Sequence, residues 1–92
     1  MKAAHKGRRN EHRTRALLEA AGYSVIRAAG SLGLWDLVGI SSTDIVLVQV
    51  RTNRGVYGAE LEALRSFQAP PNARRFIHIW RDREPLPLVK EI

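Results

Sequence analysis

The chain reads Leu34-Trp35-Asp36-Leu37-Val38-Gly39-Ile40, then Ser41-Ser42-Thr43, then Asp44-Ile45-Val46-Leu47-Val48-Gln49-Val50-Arg51. Two aliphatic, β-branched runs flank a short polar turn, the pattern of a β-hairpin. A two-residue or a four-residue loop gives the same register: Ile40 opposite Ile45, and hence Asp36 opposite Gln49. Directly opposed residues on an antiparallel pair share one face, with Cβ atoms about 5 Å apart. The period of two puts Arg51 on that face as well. Polar side chains in so apolar a strand need partners, because each group withdrawn from water must be satisfied.

An acid, an amide carbonyl and a cation on one patch of sheet form the layout of a metal-dependent phosphodiesterase. Asp36 would hold a hard cation such as Mg²⁺ or Mn²⁺ through oxygen; as a purely structural residue it would cap a neighbouring backbone amide. Gln49 would offer its carbonyl oxygen, or else bond within the sheet. Arg51 would neutralise a phosphate or the charge developing in the transition state, or else pair with Asp36 or Glu11. It is no general base, since guanidinium stays protonated. Glu11 lies seven residues before Leu18, so both project from one helix face and the acid points toward the sheet. Its structural alternative is an exposed pair with Arg15 at i,i+4.

Outward from the hairpin, residues from about Arg8 to Ala21 read as a helix with Leu17, Leu18 and Ala21 as its apolar stripe and Gly22 as its stop. Tyr23 to Ala28 reads as a strand, and Leu34 to Ile40 and Ile45 to Thr52 as the hairpin. The second hairpin strand, with Val46, Val48 and Val50 on one face, belongs at the centre of a sheet covered on both sides. Asn53 to Gly58 is a loop. Ala59 to Gln68 is a second helix, stopped by Ala69-Pro70-Pro71-Asn72. Arg75 to Trp80 is a strand, and Leu86 to Ile92 is a last one that Pro85 and Pro87 confine to an edge. The fold class is α/β in the order α-β-β-β-α-β(-β), a central mixed sheet flanked by helices. Trp35, Trp80 and Phe67 are expected in the core. His78, alternating with Ile77 and Ile79, is expected to be structural, and His5, His12 and His78 have no metal-ligand spacing.

The 92 residues suit a single domain, here residues 1–92 with a basic segment at 1–15. Cysteine is absent, which excludes disulfides and thiolate metal sites. No apolar run approaches the roughly 20 residues that span a bilayer, and no apolar leader segment is visible. A soluble, intracellular, cytoplasmic protein without a membrane partner is expected. The net charge is +6, and it is concentrated: Lys2, Lys6, Arg8, Arg9, Arg13 and Arg15 face only Glu11 within the first fifteen residues. Such a patch is the footprint of a phosphate-backbone partner, and the same charge also suits a solvated basic tail. Lys6, Arg8, Arg9, Arg13, Arg15 and Arg54 are the candidate DNA contacts.

Lys6-Gly7 with Glu11, then Arg27-Ala28-Ala29-Gly30-Ser31, then Asp36-Leu37-Val38, then Val48-Gln49-Val50-Arg51 resemble, in this order, the archaeal-type Holliday-junction resolvases of the PD-(D/E)XK nuclease superfamily. The resemblance covers roughly residues 6 to 54. It implies a restriction-endonuclease-like core and a two-fold homodimer that cuts four-way DNA junctions symmetrically. It implies that Glu11, Asp36, the residue at Gln49 and the Val50 carbonyl hold Mg²⁺ or Mn²⁺. Ser31 would lie beside the scissile phosphate, and the residue at Arg51 would hold the attacking water or the phosphate. Two positions depart from the family pattern: Gln49 stands for glutamate and Arg51 for lysine, which together lower the site's negative charge and change its geometry. A catalytically weakened DNA-binding module, or a nuclease of the same fold acting on nicks, flaps or ends, are the alternatives. A small resolvase of this kind would suit a phage or a thermophile.

Overall fold

The computed structural model describes residues 2–28 and 33–92, with side chains from residue 7 onward. Its elements are α1 (Lys2–Ala20), β1 (Ser24–Arg27), β2 (Leu37–Ile40), β3 (Ile45–Thr52), α2 (Gly58–Arg65), β4 (Ala73–Trp80) and β5 (Leu88–Glu91). The strands form one sheet in the order β1-β2-β3-β4-β5. All neighbours are antiparallel except β3 and β4, which run parallel with Ile45 beside Ala73 and Thr52 beside Trp80. β3 is the central strand and β5 an edge, as their residue patterns predict.

The hairpin register is Ile40 to Ile45, joined by the four residues Ser41 to Asp44. Ser41 and Asp44 hold it closed. The Ser41 amide donates to the Asp44 carbonyl at 3.0 Å, the Ser41 hydroxyl donates to Asp44 Oδ1 at 2.6 Å, and the same hydroxyl accepts from the Asp44 amide at 3.0 Å. Tyr23 adds a hydroxyl bond to Asp44 Oδ2 at 2.8 Å, tying the turn to the start of β1. These bonds hold the Asp44 carboxyl below the usual carboxylate range. A local side-chain network of this kind fixes loop length, and loop length fixes which residues face one another.

Side chains of β3 alternate between two packed layers. Val46 and Val48 join Leu18, Val25 and Leu37 beneath α1, with Val50 against them. Leu47 joins Trp35, Val56, Leu64, Ile77 and Ile79 on the α2 side, where Phe67 meets Trp35 edge-on at 5.8 Å. Gly39, on β2, has close neighbours: a Cβ there would come within 2.7 Å of Val46 Cγ2 and 3.2 Å of Tyr23 Cβ.

Several expectations need correction. Helix α1 starts at Lys2, well before Arg8, because Ala3, Ala4 and the neighbouring lysines are good helix formers and nothing interrupts them. Its buried stripe is Asn10, Thr14 and Leu18, while Leu17 is half-buried and Ala21 exposed. A polar stripe can sit inward because its groups are satisfied. Asn10 donates to Thr52 Oγ1 at 2.8 Å, and Thr14 Oγ1 takes the Trp80 indole N–H at 2.8 Å and lies 3.2 Å from His78 Nδ1. Helix α2 is shorter than its pattern, ending at Arg65, where the Ser66 hydroxyl donates back to the Glu62 carbonyl. Strands β1, β2 and β5 are also shorter, and β4 begins two residues earlier, at Ala73.

Candidate active site

The β2–β3 ladder ends at Leu37 and Val48, one step short of Asp36 and Gln49. There the Asp36 amide turns to the Val48 carbonyl at 3.0 Å, and its carboxylate takes over the pairing: Oδ2 accepts the Val50 N–H at 2.8 Å. Asp36 therefore does cap a backbone amide, and it does so at the point where two central strands part. With the Gln49 amide oriented to satisfy both its ends, Nε2 donates to Asp36 Oδ2 at 2.5 Å and Oε1 accepts from Arg51 at 3.3 Å. The predicted proximity of Asp36, Gln49 and Arg51 is thus present as a line of hydrogen bonds on the α2 side of β3.

Arg51 pairs with neither Asp36 nor Glu11. Its guanidinium meets the Glu60 carboxylate, in the first turn of α2. Glu60 is a contact that local patterning misses: it depends on how the β3–β4 crossover brings α2 back over the sheet. The charge suits its place, since an acid near a helix N-terminus is favoured by the macrodipole.

Glu11 approaches from the other side of the sheet end, on α1. It pairs not with Arg15 but with Arg27 on β1, at 3.0 Å. Arg8, Glu11, His12, Arg15, Arg27 and Leu37 line a depression of about 120 Å³ between α1 and the β1–β2 edge. Asp36 feels this neighbourhood. Burial pushes its carboxyl above the usual range, the Val50 N–H opposes this, Glu11 raises it further, and Arg51 and Arg27 oppose it. Burial outweighs the opposing charges of Arg51 and Arg27, so the half-buried carboxyl stays above its ordinary range.

Oxygen is the donor type that a hard cation takes, and the site offers the Asp36 carboxylate, the Gln49 side-chain carbonyl and the Val50 backbone carbonyl, with the Glu11 carboxylate held by Arg27 across the sheet end. Among the described residues, no three His, Cys, Asp or Glu side chains gather into a ready metal cluster. The set therefore depends on the neutral donors Gln49 and Val50. Gln49 must turn its amide over to present Oε1, since its N–H now faces Asp36.

The remaining expected contacts divide. Arg8, Arg9 and Arg54 are exposed. Arg15 is engaged with Glu19 at 3.1 Å and the Val25 carbonyl at 3.2 Å, and Arg13 lies over the Trp80 ring at 3.9 Å. Ser31 and the Lys6 side chain lie outside the described residues. His78 is buried and burial holds its pKa below the ordinary histidine value. Among the described residues no helix is long and apolar enough to cross a membrane.

No family model matches the chain, and no curated protein matches it in sequence. Among solved structures it is similar to Hjc from Archaeoglobus fulgidus, a Holliday junction resolvase from an archaeal hyperthermophile, with a TM-score of 0.71 and 22% identity over 95% of this chain and 71% of that one. The chain thus has the Hjc nuclease fold: a five-stranded mixed sheet flanked by helices, with Asp36 at the parting of its second and third strands.

Proposed function

We propose that this protein is a Mg²⁺- or Mn²⁺-dependent endonuclease for branched DNA, with the four-way junction as its substrate and a homodimer as its working form. The observation that carries the reading is the Asp36–Gln49–Arg51 line at the end of β3, in a fold shared with a junction resolvase. A two-fold enzyme matches a two-fold junction, and one site per subunit would give paired cuts.

In this reading Asp36 and Glu11 are the anionic ligands, with Gln49 Oε1 and the Val50 carbonyl completing the oxygen set. A bound divalent cation supplies Lewis-acid stabilisation of the charge developing on the phosphoryl oxygens. The chain's own part is positional. When Gln49 turns its amide over, Oε1 leaves the Arg51 guanidinium. Arg51 then has Glu60 as its anchor and a free edge for a non-bridging phosphate oxygen, where its planar fork suits bidentate contact. Ser31, on the segment that leads into Asp36, is assigned to the phosphate as well. Arg8, beside the α1 depression, and Arg54, after β3, would contact the flanking backbone.

A second reading has its own observation: the Gln49 N–H satisfies Asp36 internally, as in a scaffold that grips DNA without cutting it. The deciding experiment incubates an immobile four-way junction, and a matched linear duplex, with the protein in Mg²⁺, Mn²⁺ or chelator. Symmetric paired cuts in the junction, absent with Asp36→Asn, support the resolvase. Cuts confined to nicks, flaps or ends would reassign the substrate within the same chemistry. Junction binding without cleavage in either metal would replace the enzyme by the binding module.

A further inference from the structure

A second basic groove lies on the opposite flank of α1 from Glu11, Arg15 and Arg27. Arg9, Asn10 and Arg13 form one wall, and Trp80, Arg81, Asp82 and Arg83 the other, around a polar space of about 40 Å³. Four of these residues are arginines and one is an acid. The space is too small for an organic ligand and suits the oxygens of a phosphate, for which arginine is the matched donor.

The outer wall is the turn between β4 and β5, and it is anchored on both sides. The Glu84 amide closes the turn on the Arg81 carbonyl at 3.1 Å. Asn53, in the loop after β3, accepts the Asp82 N–H at 3.0 Å and donates to the Asp82 carboxylate at 3.2 Å. From α1, Arg13 stacks on Trp80 at 3.9 Å and donates to the Glu84 carbonyl at 3.2 Å. Arg81 and Arg83 project from this platform and are exposed, as is Arg9. Arg83 also has a φ of 69°, a left-handed conformation that disfavours every residue except glycine and, less strongly, asparagine or aspartate. The turn thus carries a guanidinium at a position where glycine would fit the backbone better.

The groove is placed to act with the Asp36 site. β3 and β4 are parallel, with Arg51 beside Ile79 and Thr52 beside Trp80. The Arg81–Glu84 turn therefore leaves the sheet at the same end as Val50 and Arg51. We infer that Arg81 and Arg83, with Arg9, form a second phosphate-contact site, its wall held by Arg13, that binds a duplex arm flanking the cut. This rests on the nuclease reading proposed above, and it places DNA contacts on the β4–β5 turn as well as on α1.

The test is binding of a fluorescent four-way junction by the whole protein, without divalent metal, from about 50 to 200 mM salt. The variants are Arg83→Gly, Arg83→Lys and the double variant Arg81→Ala/Arg83→Gly. Each lost phosphate contact should make the slope of log affinity against log salt shallower by about 0.9, so the double variant should lose about 1.8. Arg83→Lys should keep most of the slope. Arg83→Gly should melt no lower than wild type, because glycine suits φ 69°, so weaker binding by this variant cannot be ascribed to unfolding. Wild-type binding with an unchanged slope in the double variant would overturn the second site and leave the nuclease reading standing. Absence of salt-dependent DNA binding by the wild type would overturn both.

Discussion

Asp36 and Gln49 meet side chain to side chain at 2.5 Å, with the amide N–H donated to a carboxylate that burial and Glu11 already drive toward its neutral form. The contact is a compromise. It provides one hydrogen bond to a half-buried charge, and under the proposed function it must open before a metal is held.

Replacing Asp36 by asparagine should therefore separate stability from function. The carboxamide oxygen of Asp36→Asn can still accept the Val50 N–H, and the unfavourable buried charge is gone. Because the folded-state pKa of Asp36 is raised, the ionised carboxylate opposes folding at neutral pH, and the penalty fades as pH falls through that pKa. Thermal unfolding at pH 7 should show Asp36→Asn melting at or above wild type. Millimolar Mn²⁺ should raise the midpoint of wild type and leave that of Asp36→Asn unmoved, and DNA cleavage should be lost. A metal-induced shift of equal size in both proteins would remove Asp36 from the ligand set.

Gln49→Glu tests the neutral ligand from the other direction. A third carboxylate beside Asp36 and Glu11 should lower the stability of the metal-free protein by like-charge repulsion. It should raise Mg²⁺ affinity by about tenfold, since the charge of the ligand set tunes hard-cation binding. Isothermal titration of both proteins with Mg²⁺ and Mn²⁺ gives the comparison; equal affinities would show that position 49 does not face the metal.

Glu60 holds Arg51 from α2, and both side chains are partly exposed, at 48% and 31%. Exposed pairs contribute little to stability, so Glu60→Gln should change unfolding free energy by less than about 1 kcal/mol. Its effect should appear in turnover instead. Junction binding should tighten slightly as a negative charge leaves the neighbourhood of the phosphates, while single-turnover cleavage slows because Arg51 loses its anchor. Unchanged single-turnover kinetics would reduce the pair to a surface contact.

The Thr14 hydroxyl serves two buried rings, accepting from Trp80 and facing His78 Nδ1. Thr14→Val should cost about 2 kcal/mol by leaving both ring nitrogens without their partner, and Thr14→Ser should restore most of it; chemical denaturation measures each. His78 adds a pH dependence of known sign. Its folded pKa lies below the ordinary value, so the unfolded chain binds the extra proton. This contribution of His78 is complete above about pH 6.5 and is lost as pH drops below that value. The fall should be absent in a His78 variant that folds, such as His78→Gln, followed by the same denaturation between about pH 5 and 8.

Gly39 carries a packing constraint that residue patterns do not display. Gly39→Ala would push a methyl against Val46 Cγ2 and the Tyr23 Cβ. Valine has few rotamers to give, so the variant should lose about 1–3 kcal/mol of stability in a denaturant titration.

These particulars explain which parts of the molecule the residues announce. The hairpin is legible because a four-residue polar turn and two aliphatic runs allow one register that buries both faces of β3. The prolines before β5 remove ladder donors and so mark an edge. The inward face of α1 escapes periodicity because Asn10 and Thr14 are polar; only the partners Thr52, Trp80 and His78, far away in sequence, explain their burial. The Glu11–Arg27 and Arg51–Glu60 pairs escape for the same reason, since each joins separate elements through tertiary contact. Asp36, Gln49 and Arg51 are accessible because strand register alone brings them together.

The parallel pairing of β3 with β4 also has a consequence for the order of assembly. β1, β2 and β3 are joined by short connections, whereas β4 meets β3 only after the segment from Asn53 to Asn72 has crossed over. Closing that long excursion costs chain entropy before its contacts repay it. The hairpin should therefore gain protection early in refolding and the β3–β4 ladder late, an order that pulsed hydrogen exchange can read from the amides of Val38 and Ile77. Glu60 rides on the crossover, so Asp36 and Gln49 would come together in a nascent meander, while Arg51 would acquire its anchor only when the last parallel strand docks.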